Sequence, residues 1–349
     1  MSSWPLDLNH YPKFYWQSRG SGALSGAGTL PIAPTSRLFG WRHFSPTPAE
    51  EWRDFPSSYF FCPRFEMWRE ELSPNELKVA RSIRIKSCES TPTREEWIRG
   101  VEMALKEIHL KRFEKVVLAR RVTIVAEHPI DPMLLSQALA MKSANRTVFF
   151  FQPTPDSAFL GASPEILFRR QGREIECDAL AGTRPVNLAD ELFKSEKEGR
   201  EFSIVQEHLL HALGPLCLNV PKSTPLAIRS TPSVSHLHSL VSGRLKDNVS
   251  DDDLLKSLHP NGAICGHPCK EALSFSNSFE PFARGLYAGS IGWKEPGSAE
   301  FAIGIRSCLV QGNHAYLYAG TGIVEGSDPA AEWEESEQKL SHWMSFFHE

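Results

Sequence analysis

The stretch TREEWIRGVEMALKEIHLKRFEKVVLAR, residues 93–120, changes its hydrophobic period part-way, and that change shows how the chain is built. Thr93 and Glu96 form a capping box, and Trp97, Val101, Ala104, Leu105 and Ile108 follow at helical spacing. From Phe113 onward the pattern becomes a short apolar run, which reads as a buried strand fed by the helix. Lys115 is set into that run. Alternate side chains of a strand share a face, so Lys115 points the same way as Val117 and Ala119, toward apolar surroundings. A lysine so placed snorkels to solvent, pairs with a buried acid, or is kept desolvated so that it can take a proton. For a lone lysine, the surface position is the plainest of the three.

Working outward, residues 31–72 alternate aromatic runs such as SSYFFCPRFEMW with turn residues, which predicts antiparallel strands. Further strands are predicted at 147–151, 158–161, 165–169, 301–306 and 315–319, and helices at 191–213 and 329–346. The strands arrive in batches instead of alternating regularly with helices, so the fold class reads as α+β and not as a doubly wound parallel sheet. No repeat, low-complexity tract or long linker divides the chain.

The 349 residues are 41% hydrophobic and 23% charged, enough apolar material for one large or two medium domains. Net charge is −4 and the isoelectric point about 6.4, so no basic surplus argues for nucleic acid or an anionic membrane. A compact anionic substrate has to be met by local positive groups or a metal. No segment is apolar enough to span a bilayer, and MSSWPLDLNHYPKFYW lacks the basic start and apolar run of a secretory signal. Seven scattered cysteines fit reduced thiols in the cytoplasm better than a disulfide framework. CGHPC, residues 265–269, has no second pair downstream and reads as a loop, not a zinc site.

The carboxylates are more informative. In FLGASPEIL, Ser163 and Pro164 turn the chain and Glu165 follows at a strand mouth. SEKEGREF puts Glu198 and Glu201 three apart, and AEWEESEQK does the same for Glu332 and Glu335. On helices each pair presents two carboxylates along one face. Like charges so placed are either solvated or share a cation. Where the two faces meet, an all-oxygen set suits Mg²⁺.

The motifs FEKVVLARR, FLGASPEILFR, ALAGTRP, SEKEGRE, TPSVSHLHSLVSG, LHPNGAICGHP, RGLYAGSIGW, FAIGIRSC and YAGTGIVEGSDPAAEWEESEQKL occur in the order seen in the chorismate-utilising enzymes, which the chain resembles from about residue 10 to its end. The resemblance implies one catalytic domain over residues 1–349, with a strand-rich, more variable part over 1–90. It also implies an α+β fold of two large, mainly antiparallel sheets packed face to face with helices outside, and a cleft at one end. Members that use ammonia typically lack lysine at the position of Lys115, whereas water-using members carry it as general base. Glu165 matches the acid that protonates the departing C4 hydroxyl. Water attack at C2 with loss at C4 then converts chorismate to isochorismate, which requires a neutral Lys115 and a protonated Glu165.

By the same resemblance, Glu201 and Glu335 match Mg²⁺ ligands, with Glu198 and Glu332 around them. Arg306 matches the arginine for the enolpyruvyl carboxylate, a fork-to-fork contact that lysine does not reproduce. Lys339 matches a lysine near the ring carboxylate and metal. Backbone N–H groups at Gly182-Thr183 and Gly320-Thr321 reach substrate, and His236 matches a pocket histidine, with a structural role as the alternative. Phe202 departs from the family, which usually has histidine there, and the segment between AGTRP and SEKE is short. Salicylate synthases share the lysine, acid and metal but tend to have threonine where this chain has Ala263, so alanine points to an enzyme that stops at isochorismate. No lysine stands in 259–266, where aminodeoxychorismate synthases carry a nucleophile, and no amidotransferase subunit is expected. A non-catalytic relative that retains the fold is the remaining alternative.

Overall fold

The computed structural model describes residues 5–19, 22–45, 49–69, 83–143, 145–231 and 234–348. The first predicted helix runs Arg94–His109, with Thr93 and Glu96 closing the capping box and Trp97, Val101, Ala104 and Ile108 on its buried face. It leads into the strand Lys115–Ala126. That strand lies inside an eleven-stranded sheet, between Ile83–Thr91 and His314–Val324. A second, nine-stranded sheet contains Ile166–Gln171, Glu174–Pro185, Val234–Arg244 and Ser298–Ile303. The ladders are antiparallel apart from Phe347–His348, which runs parallel to Ile83–Thr91. The architecture is α+β.

The sheets meet face to face because both have large apolar side chains on the inner side. Phe14, Phe151 and Phe159 of the larger sheet share one cluster with Phe39, Phe168 and Phe301 of the smaller. The larger sheet buries its other face as well. Ile124, Leu160 and Leu317 pack under Leu135 and Leu139 of the helix Pro132–Met141 and under Leu340 and Trp343 of the helix Pro329–Met344. Burying a side chain of this size stabilises by about 1.5–3 kcal/mol.

Several boundaries differ from the sequence expectation. The strand expected over 301–306 stops at Ile303, because Arg306 adopts φ +53°, a left-handed conformation that no strand accommodates. The helix expected from 191 begins at Glu196, where the Ser195 side chain accepts from the Glu198 N–H and caps it. Within 31–72 the strands are Leu38–Arg42, Ser58–Phe61 and Phe65–Arg69, while residues 70–72 lie outside the described residues. In CGHPC, Gly266–His267 pairs with the Lys115 strand and Cys269 opens the helix Cys269–Phe279, so the loop reading fails there. Cys265 and Cys269 place their Sγ atoms 2.6 Å apart, and among the described residues no metal-holding group forms around them.

Candidate active site

A cleft opens between the two sheets. The larger sheet supplies Val117 and Gly320, and the smaller supplies Leu180 and His236, with Glu165 at the mouth of one of its strands. Gly322 and Gly320 stand opposite Val117 and Ala119 in the ladder, which keeps the floor beside the Lys115 strand free of side chains. Lys115 is fully buried, which excludes snorkelling. Its side chain points to the same face as Val117 and packs against Gly322 and Glu201, which line the cleft where Lys115 itself does not. The amine sits 3.0 Å from Glu201 Oε1, yet no acceptor among the described residues meets it at hydrogen-bonding angles. A Cβ at Gly322 would fall 2.1 Å from Glu201 Oε1 and 2.7 Å from Lys115 Cε, so glycine is what lets the pair approach the floor.

Glu165 is 2% exposed and comes from the opposite sheet. Burial pushes its carboxyl up to about 8 and the charge of Asp178 adds to this, against Asn261, Lys115 and Arg229, which pull it down. At neutral pH these surroundings favour the protonated form of Glu165.

A bulge between Ala181 and Thr183 turns Gly182 to φ +69° and re-aims the peptide groups on either side. The Thr183 N–H donates to Glu198 Oε2 at 2.9 Å, so it serves a carboxylate in addition to lining the cleft. His236 Nδ1 lies 3.2 Å from the Gly182 carbonyl and 3.1 Å from Thr183 Oγ1. A carbonyl only accepts, so this geometry places the ring proton on Nδ1. Burial and the charges of Arg306 and Lys339 push the ring down to about 3, leaving it neutral with Nε2 as a bare, unpartnered acceptor.

The two acidic pairs lie on the helices Glu196–Leu213 and Pro329–Met344, and their faces meet across Lys197. Lys197 Nζ is 2.9 Å from Glu332 and 3.5 Å from Glu198, while Lys339 holds Glu335 at 2.6 Å. Burial pushes Glu332 up to about 7, with Glu335 and Glu201 adding to the shift and Lys197 opposing it. Glu198 is raised for the same reasons, burial first. Burial would raise Glu201 too, but Lys115, Lys197 and Lys339 hold it at about 2. Four oxygen-donor carboxylates on two facing helices, with Glu332 Oε2 buried and without a hydrogen-bond partner among the described residues, suit a hard divalent cation. As they stand, no three of the described acidic, histidine or cysteine side chains form a ready cage, and Glu201 is the one of the four that lines the cleft.

At the other end, Arg306 lines the cleft, its charge form disfavoured to about 10 by burial and by Arg146. Lys339 Nζ donates to the Gly320 carbonyl at 2.8 Å, so both cations face the same space from different elements. Ala263 lines it with a methyl group. Gly182, Thr183, His236, Ala263, Arg306, Gly320 and Lys339 are therefore brought together with Glu165 and Glu201, whereas Glu198, Glu332 and Glu335 do not line the cleft. Phe202 is buried in the core, so nothing on it hydrogen-bonds beside Glu201.

Sequence reasoning missed Lys197, Tyr287 and Gly322. Lys197 had a signal, since it stands four residues before Glu201 on a predicted helix. Tyr287 lines the cleft, stacked on Tyr318 at 5.1 Å, but a lone tyrosine between Leu286 and Ala288 carries no spacing signal.

A family profile described as chorismate binding enzyme matches residues 70–347. The chain belongs to this family. The isochorismate synthase MenF of Escherichia coli (strain K12) is 30% identical over 97% of this chain and 88% of its own length. The chloroplastic isochorismate synthase of Catharanthus roseus is 33% identical over 89% of this chain, which spans 62% of that longer protein. Among solved structures, the menaquinone-specific isochorismate synthase MenF from Escherichia coli superimposes with a TM-score of 0.87 at 26% identity, covering 99% of this chain and 90% of that one. This family likeness and the two-sheet cleft agree on the fold. Among the described residues no helix is long and apolar enough to cross a membrane.

Proposed function

We propose that this chain is an isochorismate synthase, an isomerase that exchanges the C4 hydroxyl of chorismate for a hydroxyl at C2. The observation that carries this reading is that a protonated Glu165 lines the cleft from one side while, on the opposite sheet, the buried Lys115 lies directly behind the cleft-lining Glu201. Water at C2 gives its proton to the Lys115 amine as the C2–O bond forms. The ring double bonds shift, the C4–O bond breaks, and Glu165 donates its proton to the departing hydroxyl, which leaves as water. One water enters and one leaves, so the product is an isomer. Arg306 and Lys339 answer the substrate's two carboxylates, and the neutral His236 offers an acceptor to a hydroxyl.

Mg²⁺ held by Glu201 and Glu335, with Glu198 and Glu332 around them, would supply positive charge for the ring carboxylate. Without substrate Lys115 is ion-paired to Glu201, so the base becomes competent only when that pair loosens. The methyl of Ala263 at the cleft wall supports a reaction that stops at isochorismate. The scattered cysteines support a cytoplasmic setting, and the named relatives support a role in supplying menaquinone or siderophore synthesis.

Incubation with chorismate and Mg²⁺, with and without ammonium, followed by chromatography, tests the reading. Isochorismate is the expected product. Enzymatic salicylate plus pyruvate moves the assignment to a salicylate synthase, ammonium-dependent anthranilate overturns it, and no turnover makes the chain a non-catalytic relative.

A further inference from the structure

Asp178 lies on the strand Glu174–Pro185, is 2% exposed and does not reach the cleft. Its Oδ2 accepts the Ile166 N–H at 3.0 Å and the Arg229 guanidinium at 2.7 Å, and Arg19 lies 3.4 Å away. His238 Nε2 is 2.9 Å from Oδ1. The same two arginines then turn to the far side of Glu165, each placing an Nη1 3.4 Å from the Pro164 carbonyl. One charged cluster therefore grips the peptide groups immediately before and after Glu165. It draws on three separate segments of chain, and none of Asp178, Arg19 and Arg229 lines the cleft.

We propose that Asp178 is a positioning residue for Glu165: with Arg19 and Arg229 it fixes the backbone on both sides of the acid and faces the carboxyl with a permanent negative charge. This rests on the reading of Glu165 as the proton donor. An ordinary buried ion pair needs no link to either peptide flank, whereas this one is bonded to both.

The charges around the two carboxyls give the sign. Although burial opposes ionisation of Asp178, His238, Arg229 and Arg19 hold it well below the usual carboxylate range, so it stays charged at working pH. Glu165 is favoured in its protonated form by burial and by Asp178, and disfavoured by Asn261, Lys115 and Arg229. Removing the Asp178 charge both withdraws a like charge and leaves two guanidiniums uncompensated beside Glu165. Both changes favour ionisation of the acid.

The test is the pH profile of kcat for chorismate in three full-length proteins: wild type, Asp178→Asn and Arg229→Gln. In Asp178→Asn the alkaline limb should move down by about one pH unit or more, costing roughly tenfold in kcat near pH 8 and little near pH 6. KM should hold within about twofold, because the cluster is outside the cleft. In Arg229→Gln the limb should move up. A purely structural role lowers kcat in both variants at every pH without displacing the limb, and that result overturns the proposal. Should Asp178→Asn fail to fold, the upward shift in Arg229→Gln supports the proposal and its absence sinks it. Infrared titration of the protonated carboxyl band that Glu165→Gln removes gives the same answer without turnover. If wild type does not turn over chorismate, the functional reading fails while this titration still decides the Asp178–Glu165 coupling.

Discussion

Replacing Glu165 with glutamine should inactivate the protein and at the same time stabilise it at alkaline pH. The carboxyl is moved from 4.5 to about 8 by burial and Asp178. Between those two values the folded chain holds a proton that the unfolded chain has released, so wild-type stability falls as pH rises through the window. Glutamine keeps the shape and carries no such proton. At ~1.36 kcal/mol per pH unit, the shift from 4.5 to about 8 corresponds to an advantage for Glu165→Gln on the order of 5 kcal/mol. That advantage should be absent below the lower value, grow steadily across the window and level off above the upper one. Urea unfolding of both proteins at about pH 4, 6 and 9 measures it, with isochorismate formation assayed alongside and expected to fall by roughly 10²–10⁴. Unfolding free energies that run parallel across the whole range would refute the argument, because Glu165 would then ionise normally in the fold.

Lys115→Ala should abolish water attack while leaving chorismate binding nearly intact, and Lys115→Arg should be almost as poor because a guanidinium keeps its proton; near-normal turnover by the arginine variant would return Lys115 to a structural role. Glu201→Gln and Glu335→Gln should weaken Mg²⁺ binding, followed by calorimetry, by orders of magnitude, with smaller losses at Glu198 and Glu332; equal losses at all four would show the ligands mis-sorted. Gly322→Ala should cut kcat without unfolding the protein, since its methyl enters space 2.1 Å from Glu201 Oε1 and 2.7 Å from Lys115 Cε. Wild-type kcat in that variant would mean the Lys115–Glu201 pair is dispensable.

What the sequence made legible were features with a period or a fixed spacing. The helix before Lys115, the two acidic pairs on helices and the strand batches all carry local patterns, and all appear in the structure. The resemblance to chorismate-utilising enzymes placed nine motifs in order, and the structure gathers the residues from most of them around one cleft. What stayed hidden depends on the approach of distant segments. Asp178 is one acid in a strand until Arg19 and Arg229 arrive from elsewhere, and Gly322 is one glycine among several until Glu201 is seen passing over it. The strand expected through Arg306 failed because residue type says nothing of a left-handed turn, which costs about 1 kcal/mol or more at a non-glycine residue. Turning the chain there places Arg306 in the cleft wall.

Acid and base must both be uncharged when they act, and a dry cleft disfavours charge on both, but a carboxylate neighbour works with that demand at the acid and against it at the base. The structure separates them by giving each its own carboxylate neighbour. Asp178 stands by Glu165 and is locked by cations of its own, so it acts only as fixed charge. Glu201 stands by Lys115, faces the cleft, and is shared with Lys197 and Lys339. Its hold on Lys115 is therefore open to whatever enters the cleft, whereas the hold of Asp178 on Glu165 is not. The acid is set in advance and the base is set by occupancy. Glu201→Gln removes an anion from the cleft wall and the ion-pair partner of Lys115 in one step, while Glu335→Gln frees Lys339 alone. The two glutamine variants should consequently differ in kcat at saturating Mg²⁺: Glu201→Gln loses more than Glu335→Gln, and equal losses would show that the Lys115–Glu201 contact adds nothing beyond metal binding.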